Sequence, residues 1–172
     1  MSDIIFITGG ARSGKSNFAV KLASKAEGKI AFIATAVAVD EEMKSRIILH
    51  KESRPKEWTT VEEPLDLAKA IESVSDHDVI IIDCITLYLS NLMFNADLID
   101  EELILDEVRK MIRSAKSFHG TVIIISNELG MGIVPQNRIA REFRDIAGRA
   151  NQIIADTANK VYVCFSGIPI QI

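Results

Sequence analysis

Five nearly continuous apolar runs punctuate the chain: Ile4 to Thr8, Ile30 to Ala34, Val79 to Asp83, Val122 to Ser126 and Val161 to Phe165. Each has the length of a strand and none alternates apolar with polar residues, which is the pattern of strands buried on both faces of a parallel sheet. Polar stretches of helical character lie between them. Ser16 to Glu27 carries Phe18, Ala19, Leu22 and Ala23, and Asp40 to about Lys51 has acidic residues in its first turn, where the helix dipole favours them. Leu65 to Val74 follows Pro64, a residue suited to a first helical turn. Asp100 to Ser117 is long and charged, with Leu103, Val108, Met111 and Ile112 as its apolar positions, and Asn137 to about Asn159 completes the set. A shorter strand is expected around Trp58-Thr59-Thr60-Val61. Strands alternating with helices imply βαβ units with right-handed crossovers.

The first run leads straight into Gly9-Gly10-Ala11-Arg12-Ser13-Gly14-Lys15-Ser16, a complete G-x-x-x-x-G-K-[ST] phosphate loop with a strand before it and a helix after it. Glycines let the backbone wrap a triphosphate closely, and successive amides form an anion-binding nest. The helix that follows aims its positive end at the phosphates. Lys15 would reach the β- and γ-phosphates, and the Ser16 hydroxyl would hold Mg²⁺. A glycine-rich strand-to-helix turn is the plainer alternative. The expected fold is therefore α/β: a three-layer P-loop NTPase domain with a mostly parallel central sheet, with residues 1–172 forming one domain.

In open sheets of this kind, ligands gather outside the carboxyl ends of the strands. That rule selects the phosphate loop, Ala34-Thr35-Ala36, Asp83, Asn127-Glu128 and Ser166-Gly167. Asp83 ends the run Val79-Ile80-Ile81-Ile82-Asp83, the apolar strand plus acid of a Walker B element, whose task is to position Mg²⁺. Glu128 heads a glycine loop and suits a general base, a substrate contact or a plain loop-tip carboxylate equally well. Surface ion pairs account for Arg141, Arg144, Asp145 and Arg149.

His50 lies on Arg46-Ile47-Ile48-Leu49-His50-Lys51-Glu52-Ser53-Arg54-Pro55. Arg46 and His50 share a helical face, and Pro55 turns the chain away after Arg54. Nearby cations disfavour the imidazolium, leaving a neutral ring whose lone pair can attack phosphorus. Spacing alone is nevertheless better explained by a solvated histidine at a helix end. His77 and His119, in turn-like segments, are expected at the surface.

Composition narrows the classes. A chain of 172 residues, 48% apolar and 26% charged, is an ordinary globular protein able to bury a core without staples. Its net charge of −4 supplies no global field for nucleic acid or an anionic membrane, so an anionic substrate needs a local cluster. No apolar run approaches the ~20 residues of a membrane span. The N-terminus lacks the basic-then-apolar pattern of an export signal, so a cytoplasmic location is expected. The two cysteines, Cys84 and Cys164, have neither metal spacing nor a disulfide framework, and both are expected to be small buried packing residues.

Taken together, these segments resemble the bifunctional adenosylcobinamide kinase/adenosylcobinamide-phosphate guanylyltransferases of cobalamin biosynthesis over essentially the whole chain. The likeness rests on Thr8 to Ser16; Ile33-Ala34-Thr35-Ala36 with Asp40 and Glu42-Met43; Arg46 through His50 to Arg54-Pro55, then Trp58, Thr60 and Glu62; and Asp83-Cys84-Ile85-Thr86-Leu87 with Asn91-Leu92. It continues through Ser126-Asn127-Glu128, Gly130, Gly132-Ile133-Val134-Pro135, Phe143-Arg144-Asp145, Gly148 and Asn151-Gln152. The phosphate loop alone indicates an NTPase; the histidine segment and the Asn-Glu-x-Gly-x-Gly-x-Val-Pro loop are far more specific. Lys51 stands where arginine is expected in many members, Tyr88 where tryptophan is common, and the terminal lysine is missing.

The resemblance implies two reactions on one scaffold. ATP or GTP phosphorylates the aminopropanol hydroxyl of adenosylcobinamide. His50 then takes a guanylyl group from GTP, and the phosphate of adenosylcobinamide phosphate accepts it to give adenosylcobinamide-GDP. By resemblance His50, Lys15 and Asp83 are catalytic. Gly9 to Ser16, Ala34, Thr35, Ala36, Lys51, Arg54, Glu62 and Asp83 contact nucleotide, and Ser16 and Asp83 hold Mg²⁺. A homo-oligomer, trimer favoured, is implied as well. A plain P-loop small-molecule kinase and a regulatory nucleotide-binding module are the rival readings.

Overall fold

A computed structural model describes residues 2–38, 40–52, 54–95 and 100–172, the side chains of Arg46 and His50 excepted. In chain order the elements are β1 (Asp3–Gly9), α1 (Lys15–Ala23), β2 (Ile30–Ala34), α2 (Glu41–Glu52), β3 (Thr59–Glu62), α3 (Leu67–Ser73), β4 (Val79–Asp83), α4 (Ile85–Asn95), α5 (Glu101–Ser117), β5 (Thr121–Ile125), α6 (Arg138–Thr157), β6 (Lys160–Phe165) and β7 (Ile168–Gln171). The described strands form one sheet in the order β3-β2-β4-β5-β1-β6-β7, parallel throughout except for the β6–β7 hairpin. The expected mostly parallel α/β architecture is the one observed.

Successive residues of a strand face opposite sides, and both sides here are covered. Ile4 and Phe6 of β1, Ile80 and Ile82 of β4 and Ile124 of β5 share a core with α3, α4, α5 and α6. Ile5, Ile7, Ile81 and Ile123 face the other way, onto Ala19 and Ala23 of α1 and the Trp58 ring. This two-sided burial explains why β1, β2, β4 and β5 read as unbroken apolar runs; β6, expected to share it, buries only Cys164 and leaves Phe165 exposed, because just the short edge strand β7 lies beyond it. Helix α5 shows the complementary logic: it buries Ile104, Leu105, Val108, Met111, Ile112 and Ala115, and Asp100 caps it by accepting from the amides of Glu102 and Leu103.

Several expectations are corrected. α1 stops at Ala23 rather than Glu27, because the chain tightens into three-residue turns (Lys25 N to Leu22 O, 3.2 Å; Ala26 N to Ala23 O, 3.0 Å). Pro64 is not in the first turn of α3: Asp66 is the cap, accepting from Lys69 N at 3.1 Å, and Glu63 Oε1 holds the amides of Leu65 and Asp66 ahead of it. Helix α4 and strand β7 were not anticipated. α4 follows β4 after a single residue and buries Ile85, Tyr88, Leu89 and Met93, so the sequence shows no break between the two elements. β7 is an edge strand with every residue exposed, and it contains Pro169, which an edge tolerates. α2 forms where expected, capped by Asp40 Oδ1 on Met43 N at 2.7 Å. Its described side chains are exposed or half-exposed.

Candidate nucleotide site

At two bends of the phosphate loop only a residue without a Cβ fits. Gly9 has φ +148°, and a Cβ there would sit 2.5 Å from the Cys164 carbonyl oxygen. Gly14, at φ +92°, caps α1 and packs so closely on the β6–β7 turn that a Cβ would lie 2.9 Å from Gly167 Cα. The same turn braces the loop through Gly167 N donating to Ser13 O at 2.8 Å. Arg12, between them, also takes a left-handed conformation at φ 56°. Lys15 is buried; its ammonium donates to Gly10 O at 2.6 Å and to Ser13 Oγ at 3.4 Å. Burial lowers the Lys15 pKa, against the opposing influence of Cys84, Asp83 and Cys164.

The two motifs converge. Ser16 Oγ donates to Asp83 Oδ2 at 2.7 Å, joining the first turn of α1 to the carboxyl end of β4. No cluster of three or more His, Cys, Asp or Glu side chains suited to a metal occurs among the described residues. This hydroxyl–carboxylate pair offers two adjacent hard oxygens, the donor type that Mg²⁺ takes when phosphates and water complete its shell.

Thr35 ties β2 to the same place. It is fully buried, and its hydroxyl donates to Cys84 O and accepts from Cys84 N, both at 2.8 Å. Its amide donates to Asp83 O at 3.1 Å, and its carbonyl accepts from Asn91 Nδ2 at 2.8 Å. Thr35 thus grips the backbone on both sides of the Asp83–Cys84 link. Its neighbour Ala34 is buried at the end of β2, and Ala36 is half-exposed.

Lys51, Arg54 and Glu62 form a second group. Lys51 Nζ lies 2.8 Å from Glu62 Oε1, and the hydrogen bond and charge of Lys51 hold the Glu62 carboxyl below its usual pKa. The Arg54 guanidinium lies 3.6 Å over the Phe32 ring, half-buried. Burial lowers its pKa while the charges of Asp83 and Glu62 raise it, which places Arg54 within electrostatic reach of the Ser16–Asp83 pair. His50 belongs to the backbone of α2, next to Lys51. Its side chain, that of Arg46, and Ser53 lie outside the described residues.

Three polar side chains that the sequence names only within the family resemblance, with no role of their own, shape the site: Asn91, which holds Thr35, and Thr86 and Asn151, which hold the chain leaving β5. Asn127 N donates to Thr86 Oγ1 at 2.8 Å, and Asn127 O accepts from Asn151 Nδ2 at 3.1 Å. No isolated Thr or Asn signals such a role by spacing. Both cysteines are buried as expected, and burial pushes the Cys84 thiol up to about 12.

His119 is exposed as expected, and His77 is half-buried. Its side chain is 9% exposed, with Nδ1 2.9 Å from Asp76 and Nε2 2.8 Å from Thr59 Oγ1. It lines a 630 Å³ cavity with Trp58, Lys29 and Asp76 at the amino ends of β2 and β3, the edge of the sheet opposite the phosphate loop.

In fold, the chain resembles a KaiC-like protein from the hyperthermophilic archaeon Pyrococcus horikoshii, with a TM-score of 0.54 at 15% identity, over 94% of this chain and 70% of that one. In sequence, it is 39% identical to the bifunctional adenosylcobalamin biosynthesis protein CobU of Escherichia coli and 41% identical to that of Salmonella typhimurium, in both cases over 98% of this chain and 99% of the relative. The corresponding CobP of Pseudomonas aeruginosa is 39% identical over 98% of this chain and 95% of its own length. The model of the cobinamide kinase / cobinamide phosphate guanyltransferase family matches residues 5–172, and the chain belongs to that family.

Proposed function

We propose that this protein, acting as one domain, phosphorylates adenosylcobinamide with ATP or GTP and then transfers GMP from GTP to the product through a covalent guanylyl-histidine. The observation that supports this most is the Ser16–Asp83 hydrogen bond beside the phosphate loop, in a chain that matches a kinase/guanyltransferase family almost end to end. A cytoplasmic homo-oligomer, trimer favoured, is part of the same reading.

In the kinase step, the amides of Gly10 to Ser16 and the Lys15 ammonium bind the triphosphate. Lys15 exchanges its bond to Gly10 O for phosphate oxygens. Its burial makes the exchange favourable, because a desolvated cation gains more from an anionic partner than a solvated one does. Ser16 and Asp83 would hold Mg²⁺, which when bound neutralises charge on the phosphate oxygens. Thr35 keeps Asp83 at its station, while Ala34, Ala36, Lys51, Arg54 and Glu62 supply further nucleotide contacts.

In the second reaction, a neutral ring nitrogen of His50 attacks the α-phosphorus of GTP. The bond to the bridging oxygen breaks, pyrophosphate leaves with the electron pair, and a phosphoramidate remains. A phosphate oxygen of adenosylcobinamide phosphate then attacks the same phosphorus and displaces the imidazole. Lys51 and Arg54, on the segment that carries His50, would contact the phosphates.

The test is to mix the protein with Mg²⁺ and GTP labelled at the α- or the γ-phosphate and then denature it. Acid-labile, alkali-stable label from the α-phosphate alone, absent in His50→Ala, is expected. GTP-binding protein that retains no covalent label would reduce the reading to a plain kinase.

A further inference from the structure

β5 is the strand between the two halves of the site. Ile125 is level with Asp83 of β4 on one side and with Ile7 of β1 on the other. The chain leaving β5 therefore emerges between the carboxylate and the phosphate loop, where the terminal phosphoryl group of a bound nucleotide meets its acceptor. Four bonds fix that chain. Ser126 N donates to Ile7 O and Glu128 N to Gly9 O, each at 3.0 Å. Asn127 is gripped at both backbone groups by Thr86 and Asn151. Thr86 and Asn151 are each 8% exposed, and Asn151 Oδ1 is buried with no hydrogen-bond partner among the described residues. Burying such groups is unfavourable, so the fold sustains a cost to hold this short backbone segment still.

What the segment presents is a carboxylate. At this end of the sheet Asp83 accepts from Ser16, Glu62 from Lys51, and Glu63 from the amides before α3. Glu128 is half-exposed, with Oε1 accepting from Gly130 N in its own loop at 2.6 Å.

We propose that Glu128 is the general base of the phosphoryl transfer. Its carboxylate takes the proton of the acceptor alcohol as the new oxygen–phosphorus bond forms. The bond from the γ-phosphorus to the β–γ bridging oxygen breaks, and the nucleoside diphosphate leaves with the electron pair. This rests on the kinase reaction proposed above, and it separates the two activities. The acceptor in guanylyl transfer is a phosphate monoester, largely without a proton near neutral pH, and the histidine nucleophile is neutral, so that reaction needs no such base.

The experiment compares wild type, Glu128→Gln and Glu128→Asp in two assays: phosphorylation of adenosylcobinamide, and guanylyl transfer to adenosylcobinamide phosphate supplied directly. Glu128→Gln is expected to lower the kcat of the first by about 10²–10⁴-fold, the usual worth of a general base, with KM little changed and guanylyl transfer intact. Glu128→Asp should recover part of the loss. Equal losses in both assays would make Glu128 a structural residue, and an unimpaired kinase in Glu128→Gln would also overturn the proposal. Wild-type protein that phosphorylates no cobinamide while still guanylylating its phosphate would instead overturn the kinase reading, and the role of Glu128 with it.

Discussion

Replacing Thr35 by valine removes one oxygen atom and almost no volume, so its effect isolates the hydroxyl. That hydroxyl makes two hydrogen bonds of 2.8 Å in a fully buried position. The two partners fare differently without it. Cys84 O keeps a donor, the amide of Tyr88 at 3.1 Å, because it opens the hydrogen-bond ladder of α4. Cys84 N has its bond to Thr35 alone and becomes a buried orphan. One net hydrogen bond at about 1 kcal/mol plus one unsatisfied buried amide at about 1–3 kcal/mol gives a loss of about 2–4 kcal/mol. Against a total of about 5–15 kcal/mol that is a large fraction, and for a chain of this length it corresponds to about 4–16 °C in Tm. Urea unfolding measures it directly, provided the slope is unchanged between variants. Thr35→Ser, which keeps the oxygen and loses a methyl, should recover most of the loss. The weakened grip on Asp83 should also reduce the extra stabilisation that Mg²⁺ and nucleotide confer on Thr35→Val. A Thr35→Val protein within about 0.5 kcal/mol of wild type, or a Thr35→Ser protein no better than it, would refute the clamp.

Gly14→Ala places a methyl group 2.9 Å from Gly167 Cα at a φ of +92°. The backbone strain alone is about 1–3 kcal/mol, and the loop should lose nucleotide binding, read as the disappearance of the GTP-induced rise in Tm. For Cys84 the sign follows from the raised thiol pKa, about 12 in the fold against 9.0 for an unperturbed thiol. The unfolded chain releases its proton first, so this contribution to stability is complete below pH 9 and is lost as the pH climbs towards 12. At pH 10 the expected loss is about 1 kcal/mol, which Cys84→Ala should remove from the pH dependence of urea unfolding. A wild-type curve no steeper than the variant's above pH 9 would contradict the assigned burial effect.

How much could be read from the residues alone depended on whether a feature has a local signature. The phosphate loop and the acid of β4 have one, so Ser16 and Asp83 could be paired across 67 residues before their 2.7 Å contact was seen. Burial on both faces also writes itself into sequence, as unbroken apolar runs. The same property hid α4: Ile85, Tyr88, Leu89 and Met93 resume the apolar character of β4 just past Asp83, with no glycine or proline to mark a new element. β7 was hidden for the opposite reason, since an exposed edge strand has no buried face to impose a pattern. The bonds of Thr35, Thr86 and Asn151 are long-range, and nothing in a single threonine or asparagine announces them. Glu128 was visible as a candidate, but its station between the two motifs follows from strand order, which no local pattern encodes.

The central place of β1 bears on how the protein is made. β1 is made before the other described strands of this sheet, yet its neighbours are β5, beginning at Thr121, and β6, beginning at Lys160. At synthesis rates of about 5–20 residues per second, Ile4 to Ile7 wait on the order of ten seconds for both edges to be paired. Through that interval an apolar strand has no partner, the circumstance in which nascent chains aggregate or recruit chaperones. The phosphate loop waits longer still, because the Gly167 amide that braces Ser13 follows β6. A fully braced nucleotide pocket therefore forms late, although its loop is translated before the strands that brace it. Nucleotide added during translation should consequently stabilise only those chains that have already closed the sheet.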